Sequence, residues 1–556
     1  MALPLALLSL CLLTAVYFLY KRLKRISITC VPGPKWSSWI YGAIDVLPPV
    51  SSHIRVGNLP ELLKGEAGEI DFKWQEQYGD IVRVRAALGE DRLMVSDPRA
   101  LQYIFKTSGY RFIKPQGRNE LKLLITGSGI LSTEGDDHKR HRKVLLPGFG
   151  GPEVKFYVPV FFTHAGKMTS KWKELISTTG DQSAVIDIPS WTSRAALDAI
   201  GEAAFDYQFG ALDDSANPLT IAYTNMFFDM FAVATDNSTL SLCLMERLPR
   251  WVVRFFVQKV PIKRLEHVRM THDLTGEVAK QLLSEKYEAL AAEAPKKDIM
   301  SLLVKANVSE NPKTRLSVEE LLGQVNTIMF AGHETTANTL SWTFLELARH
   351  PEVQDRLRAE IREKERVIFA RGDTEFSVHD LDNMPYLTAV VNEVLRFHPI
   401  VYNTARVATQ NDVLPLSKPV ALTTGKVVQE IAIPKGISII VSIAGYNRNK
   451  DVWGEDAHVF DPARWFRGST SKEVPVGVYG NLFSFTGGIR SCIGWRFAVL
   501  ELHAFITETV NNVEFSLTKD SERIRREACA IMTPTVKGQV EKGSQLPLRV
   551  TIASRD

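Results

Sequence analysis

Two stretches carry residues whose types and spacing can do chemistry. Near the C-terminus, Cys492 lies in LFSFTGGIRSCIGWRFAVLE, Leu482 to Glu501, a glycine-rich loop opening into an apolar helix. A cysteine at a helix N-terminus is held toward thiolate by the helix dipole. Arg490, two residues earlier, can lower the thiol pKa further or pair with an anion. Gly487, Gly488 and Gly494 permit tight turns and close approach of a large flat group. A lone cysteine is usually a small buried hydrophobe, but the Gly/Arg/Phe frame argues against that here. A thiolate presented this way is what a haem iron needs to favour O–O cleavage.

The second stretch is IMFAGHETTANTLSW, Ile328 to Trp342, an apolar helix with Gly-His-Glu-Thr-Thr in its middle. Burying such groups unpaired costs a few kcal/mol each, roughly. His333-Glu334 begins an HExxH zinc pattern, but Ala337 stands where the second histidine is needed, so zinc is excluded. A kinked buried helix with hydroxyls bonded to the preceding turn is one reading. The other is proton delivery, with the Thr335 hydroxyl holding a bound oxygen species and Glu334 connecting to water.

The elements that must position these groups are mostly helical. HPEVQDRLRAEI starts a helix at Pro351 with Val353, Leu357 and Ile361 on one face. YLTAVVNEVLRFHP puts Leu387, Val390, Val391, Val394 and Leu395 together and closes at Pro399. DIVRVRAALGEDRLMVSD alternates about a Gly-Glu-Asp turn and reads as a β-hairpin. VVQEIAIPKGISIIVSI reads as strands broken at Pro434-Lys435-Gly436. No repeat or long linker divides the chain after residue 50. The expected fold class is therefore mainly α with a minor β part, one large catalytic domain over 51–556.

Composition narrows the function. The 67 basic and 63 acidic residues nearly balance, which argues against a nucleic-acid binder. Five scattered cysteines with no CxxC fit a reducing compartment. MALPLALLSLCLLTAVYFLY has no charged side chain over about the length that spans a bilayer. Lys21, Arg22, Lys24 and Arg25 follow at once, and Tyr17, Phe18 and Tyr20 end the run where a signal peptide would have small residues. Residues 1–20 are read as an uncleaved transmembrane anchor and 21–50, with Val31-Pro32-Gly33-Pro34, as a basic and Pro/Gly linker. The positive-inside rule keeps the rest cytosolic, so the sequons at Asn237 and Asn307 are expected to be unused.

With these residues in view, the chain resembles the cytochrome P450 family. Phe485-Thr486-Gly487-Gly488-Ile489-Arg490-Ser491-Cys492-Ile493-Gly494 matches the family's FxxGxRxCxG loop in full. Ala331 to Thr336 matches its oxygen-activation motif, Glu393-Val394-Leu395-Arg396 its ExxR, and Phe460 to Trp465 the segment whose Arg464 completes a Glu-Arg-Arg cluster. The resemblance implies a P450 fold with haem b on Cys492 as axial iron ligand, Phe485 packed on the thiolate side, and Gly488 and Gly494 shaping the loop. It implies Thr335 and Glu334 as the proton-delivering alcohol–acid pair, with Ala331 and Gly332 opening the helix for oxygen. Glu393, Arg396 and Arg464 become a buried structural network. Haem propionates would take Arg490, Arg406, and His138 with Arg142 at the family's WxxxR place, where His138 departs from the usual Trp.

The activity so implied is a haem-thiolate monooxygenase acting on a hydrophobic small molecule with O2. Electrons would come from NADPH through a separate membrane-bound reductase, with cytochrome b5 a further candidate donor, since no flavin or nicotinamide motif is visible. Arg140, Lys143 and Arg496 are candidate docking cations. Pocket walls are expected from Ile113–Leu124, Met226–Phe231, Phe330–Glu334, Ile400–Asn403 and Ile531–Thr535. These segments are rich in Phe, Leu, Ile and Met, so a terpenoid, fatty acid, sterol or aromatic compound is expected. The texture resembles fungal members anchored in the endoplasmic reticulum, which suggests secondary-metabolite biosynthesis, terpenoids among the substrate classes. The rivals are a haem-thiolate isomerase or dehydratase that needs no reductase, and a non-catalytic haem- or lipid-binding protein. Thr335 and Thr336 argue against the first, the acid–alcohol pair against the second.

Overall fold

The computed structural model describes residues 26–35, 58–215, 218–223, 235–293, 297–309, 311, 315–468 and 474–555. The expected anchor over 1–20, most of the linker and the Met226–Phe231 wall lie outside these. No helix among the described residues is long and apolar enough to cross a membrane.

The alternating N-terminal segment forms the expected hairpin. Strands β1 (Ile81–Arg85) and β2 (Asp91–Val95) pair antiparallel with Arg83 opposite Leu93. The hairpin becomes one edge of a five-stranded sheet that no local pattern announces. Its order is β1-β2-β8-β5-β3, with β3 Phe112–Ile113, β5 Asn403–Ala408 and β8 Ser438–Ser442. Every residue of β8 is buried, as expected of a central strand. β4 (Ser183–Asp187) pairs with a strand near the C-terminus, while β6 (Asp412–Ala421) and β7 (Val427–Ile433) make their own ribbon.

Most of the rest is helical. The helices around the site are α1 (Gln116–Thr126), α2 (Gly135–Leu145), α3 (Val158–Ser177), α4 (Ile188–Phe205), α5 (Arg250–Lys259), α6 (Lys263–Ala291), α7 (Val318–Arg349), α8 (Pro351–Ala370), α9 (Pro385–Phe397) and α10 (Trp495–Asn512). At about 1.5 Å per residue, the 32 residues of α7 extend through the molecule. Its start is fixed by a capping box in which Ser317 Oγ accepts from the Glu320 N–H and Glu320 Oε2 from the Ser317 N–H. α4 lies along α7, and α10 packs between α7 and α3. In α9, Leu387, Val390, Val391, Val394 and Leu395 are buried together as their spacing predicts. Each is worth about 1.5–3 kcal/mol relative to an exposed position.

Candidate active site

The cysteine loop is held by its own backbone. Cys492 N–H donates to Phe485 O at 3.0 Å, and Ser491 N–H to Gly488 O at 3.1 Å. Gly488 has φ +67°, and a Cβ there would meet Phe105 O at 1.9 Å, so only glycine fits. Gly494 caps α10, whose N-terminus faces the loop. Phe485 is half-buried and stacks edge-on against Tyr479. Cys492 is deep in the protein, yet its surface is exposed: it opens on an internal hollow. Burial pushes its thiol pKa up, while the Gly494 N–H and Arg142 pull it down.

The cation beside the thiol is thus Arg142 and not Arg490. Arg142 donates to Ser491 O at 2.8 Å and Ser491 Oγ at 3.1 Å, tying α2 to the loop. Arg490 turns away to Glu134, with Nε 3.1 Å from Oε2, and lies 4.4 Å over the Tyr110 ring. Of the two roles open to Arg490, acting on the thiol or pairing with an anion, the structure shows the second. A carboxylate 356 residues away in the chain takes the guanidinium in place of the thiol two residues off.

On α7, Ala331 is exposed although nearly all of its helix is buried, so it too faces a hollow. Thr335, one turn on, is half-buried and donates to Ala331 O at 2.8 Å. A Cβ at Gly332 would strike Ile200 Cγ1 at 2.8 Å, so this glycine lets α4 approach α7. Glu334 points elsewhere. Its Oε1 accepts from Ser193 Oγ at 2.9 Å and its Oε2 from Asn338 Nδ2 at 3.0 Å. It lines a cavity of about 360 Å3 between α4 and α7, rich in hydroxyls from Ser190, Thr192, Ser193 and Ser341. Acid and alcohol therefore sit on different flanks of α7. His333 is fully buried, bonded to Met329 O at 2.7 Å and held neutral by burial.

The ExxR residues form the buried network expected of them. Glu393, Arg396 and Arg464 have no exposed side-chain surface. Glu393 receives Arg396 Nη2 at 2.7 Å and Nε at 2.9 Å, the Asp461 N–H at 2.9 Å and Trp465 Nε1 at 3.1 Å, with Arg464 Nε at 3.5 Å. Arg396 also donates to the carbonyls of Asn447, Ala457 and Val459, and Arg464 to those of Trp453 and Asp456. The clamp pins the segment preceding the cysteine loop to α9.

A second group of charges gathers where α1, α2 and β5 meet. His138 is buried and its Nδ1 shares a 2.8 Å hydrogen bond with Tyr110 Oη. Burial, Lys114 and Arg490 hold it neutral, with its pKa pushed down to about 3. Arg406 is buried against Phe105, donates to Ala405 O at 2.7 Å and Thr404 Oγ1 at 3.2 Å, and pairs with no carboxylate among the described residues. Burial brings its pKa down to about 10. Sequence reasoning missed Lys114 and Lys122. Lys114 Nζ donates to the carbonyls of Leu131 and Thr133 at 2.8 Å. Lys122 extends into the same region, where it feels Arg406, Arg118 and Glu134. A lysine inside the apolar run ELKLLI was the available signal.

The buried positive charge of Arg406 and Lys114, with Glu134 as the carboxylate it feels, tests whether haem fits. A dianionic group balances it, a thiol open to a hollow supplies an iron ligand, and an exposed Ala331 leaves room above. The residues fit haem. The cytochrome P450 pattern matches residues 47–541. The chain belongs to the cytochrome P450 family. This P450 is 33% identical over 526 residues to Cytochrome P450 monooxygenase 205 of Postia placenta, covering 94% of this chain and 92% of that protein. It is 32% identical over 535 residues to monooxygenase 128 of the same fungus, covering 94% and 92%. It is 32% identical over 493 residues to Cytochrome P450 monooxygenase claQ of Ampulloclitocybe clavipes, covering 87% and 88%. It is a cytochrome P450 monooxygenase, and the family implies a haem-thiolate cofactor.

Proposed function

We propose that this P450 oxidises a hydrophobic small molecule in fungal secondary metabolism, with Cys492 as the axial thiolate of haem b. The observation that carries the ligand assignment is the buried thiol opening on a hollow, inside a loop whose glycine no other residue can replace. Arg406, Arg142, Arg490 and His138 would hold the propionates, with Lys114 beside them. When bound, haem supplies the oxygen chemistry.

The protein's own part is ligand, proton supply and pocket. The Ala331 carbonyl, diverted to the Thr335 hydroxyl, fixes that oxygen on the flank of α7 that faces the hollow. Glu334 collects protons from the hydroxyl-rich cavity, where Ser193 and Asn338 orient it. Proton passage from Glu334 to Thr335 then follows a turn of the Glu334 side chain or water bridging the flanks. Phe330, Ile400 and Ile531, from the segments expected to form the pocket walls, are buried.

NADPH-dependent reductase, with cytochrome b5 as a second donor, would supply electrons. Arg496, exposed beside the cysteine loop, is its candidate docking cation with Lys143. Arg140 is not: its guanidinium pairs with Glu320 at 2.6 Å and Asp137 at 3.0 Å. An endoplasmic-reticulum membrane location is supported by α5, which buries Val253 and Val257 and turns Trp251, Phe255 and Phe256 outward. Arg247, three residues before its start, reaches Ala87 O and Glu90 at the hairpin tip, and the same hairpin takes the incoming chain through Arg83 N–H to Pro32 O. Asn307 is 3% exposed with both amide atoms bonded to Leu316, consistent with an unused sequon. The test is a carbon-monoxide difference spectrum of the reduced protein. A strongly red-shifted Soret band, lost in Cys492→Ser, supports the ligand assignment; its survival in that variant overturns it.

A further inference from the structure

Helix α1 carries charge on several of its sides. Glu120 is buried and paired with Arg250 and Arg254 of α5, and Arg118 reaches Glu246 at 3.7 Å. Lys122, one turn after Arg118, is different. Its side chain is half-buried and has no hydrogen-bond or ion-pair partner among the described residues. An ammonium taken from water without a partner is costly. Its cationic neighbours aggravate the cost: burial first, then Arg406 and Arg118, bring its pKa down to about 8.

The other cations here have protein partners. Lys114 sits on carbonyls, Arg490 on Glu134, and Arg142 on Ser491. Lys122 stands apart on α1, which packs against α7, the helix carrying Ala331 and Thr335. Leu121 and Leu124 beside it are apolar and half-buried. An anion delivered with an apolar body would satisfy both features. Two carboxylates can meet the ammonium, a haem propionate or a substrate's own, and the separate helix favours the substrate. We propose that Lys122 is the anion-recognition residue of the substrate site, and that this P450 takes a hydrophobic carboxylic acid. This rests on the hydrophobic-substrate reading given above.

The test uses the full-length haem-loaded protein and reads binding, not turnover. Octanoic, dodecanoic and hexadecanoic acids are titrated against the matching 1-alkanols, and dissociation constants taken from the Soret spin-state shift. The expected result is an acid preference of at least about tenfold at one chain length. Lys122→Met should abolish that preference with the alcohol's affinity kept, and Lys122→Arg should retain it. Haem transfer to excess apomyoglobin is measured for each variant. Faster haem loss in Lys122→Met with an unchanged acid-to-alcohol ratio would assign the ammonium to a propionate and overturn the proposal. Equal binding of acid and alcohol by the parent protein would overturn it and leave the hydrophobic-substrate reading standing. Binding of neither series overturns both.

Discussion

Glu393→Gln isolates the value of one buried charge. The substitution keeps the shape of the side chain and removes its negative charge from between Arg396 and Arg464. Both carboxylate oxygens accept two close N–H donors. Oε1 faces Arg396 Nη2 and the Asp461 N–H, and Oε2 faces Arg396 Nε and Trp465 Nε1. Whichever way the glutamine amide turns, its NH2 meets two donors and leaves them unpaired. At about 1–3 kcal/mol for each buried donor left unsatisfied, the hydrogen bonds alone account for roughly 2–6 kcal/mol. Breaking a buried ion pair from one side independently gives about 3–5 kcal/mol. The expectation is a loss of about 3–5 kcal/mol, a factor of more than about a hundred in the folded population. Urea titrations of parent and variant, followed by Trp fluorescence and by Soret absorbance, measure it. Because the clamp sits ahead of the cysteine loop, the Soret signal should disappear at lower urea than in the parent. A variant that keeps full haem content and loses less than about 1 kcal/mol would show that the clamp does not depend on the charge of Glu393.

Four further outcomes are expected. Gly488→Ala should abolish haem incorporation, because the φ of +67° and the 1.9 Å approach to Phe105 O force the loop to move; haem content by the pyridine haemochrome method checks it. Gly332→Ala should lower stability by about 1–3 kcal/mol through overpacking against Ile200 while leaving coupling of electrons to product intact. Thr335→Ala should do the reverse, keeping haem and fold but diverting NADPH electrons to hydrogen peroxide, and unchanged coupling would refute the proton-delivery role. Glu501 on α10 is fully buried, and burial, opposed in part by the Thr336 hydroxyl, pushes its pKa up to about 8. The native state then binds a proton that the unfolded chain has lost, so this contribution to stability is full below about pH 4.5 and falls as pH rises toward 8. Glu501→Gln should flatten that slope, gaining on the parent by about 1.4 kcal/mol per pH unit across the window.

What could be read from the chain follows from how local each signal is. The hairpin over Ile81–Val95 and helix Pro385–Phe397 are set by period and turn chemistry, and both appear at those places. The cysteine loop was legible because backbone, ligand and helix start lie within ten residues. The pairing of β2 with β8 was not, since Leu93 and Ile439 are brought together only by the packed chain. The same holds for charges. In sequence Arg490 could serve the thiol or an anion, and only the packed chain brings Glu134 to it. Arg140 looks like an open cation and is neutralised from α7. Gly332 sits in a motif that suggests room for oxygen, and the packed chain adds a demand the motif does not show, the close approach of Ile200 from another helix. Lys114 and Lys122 lay inside the Ile113–Leu124 segment without being singled out, because lysines usually point to water.

The two buried charge groups make opposite demands on the same protein. At the Glu393 clamp, guanidinium, carboxylate and carbonyls satisfy one another, so the site is closed and its value is rigidity. Around Arg406 the count does not close: Glu134 is shared between Arg490 and the Lys114 backbone, and Lys122 has no partner among the described residues. A folded chain that leaves positive charge buried is less stable than it would be with the charge removed. It becomes more stable when an anion arrives, in proportion to how tightly that anion binds. Replacing Arg406 with Met should therefore leave the haem-free protein as stable as the parent or more so, and should reduce the gain in unfolding midpoint when haemin is added. Measuring both midpoints for both proteins separates the cases. If Arg406→Met destabilises the haem-free protein and leaves the haemin gain unchanged, Arg406 serves the packing of Phe105 and the sheet, and the charge surplus has another purpose.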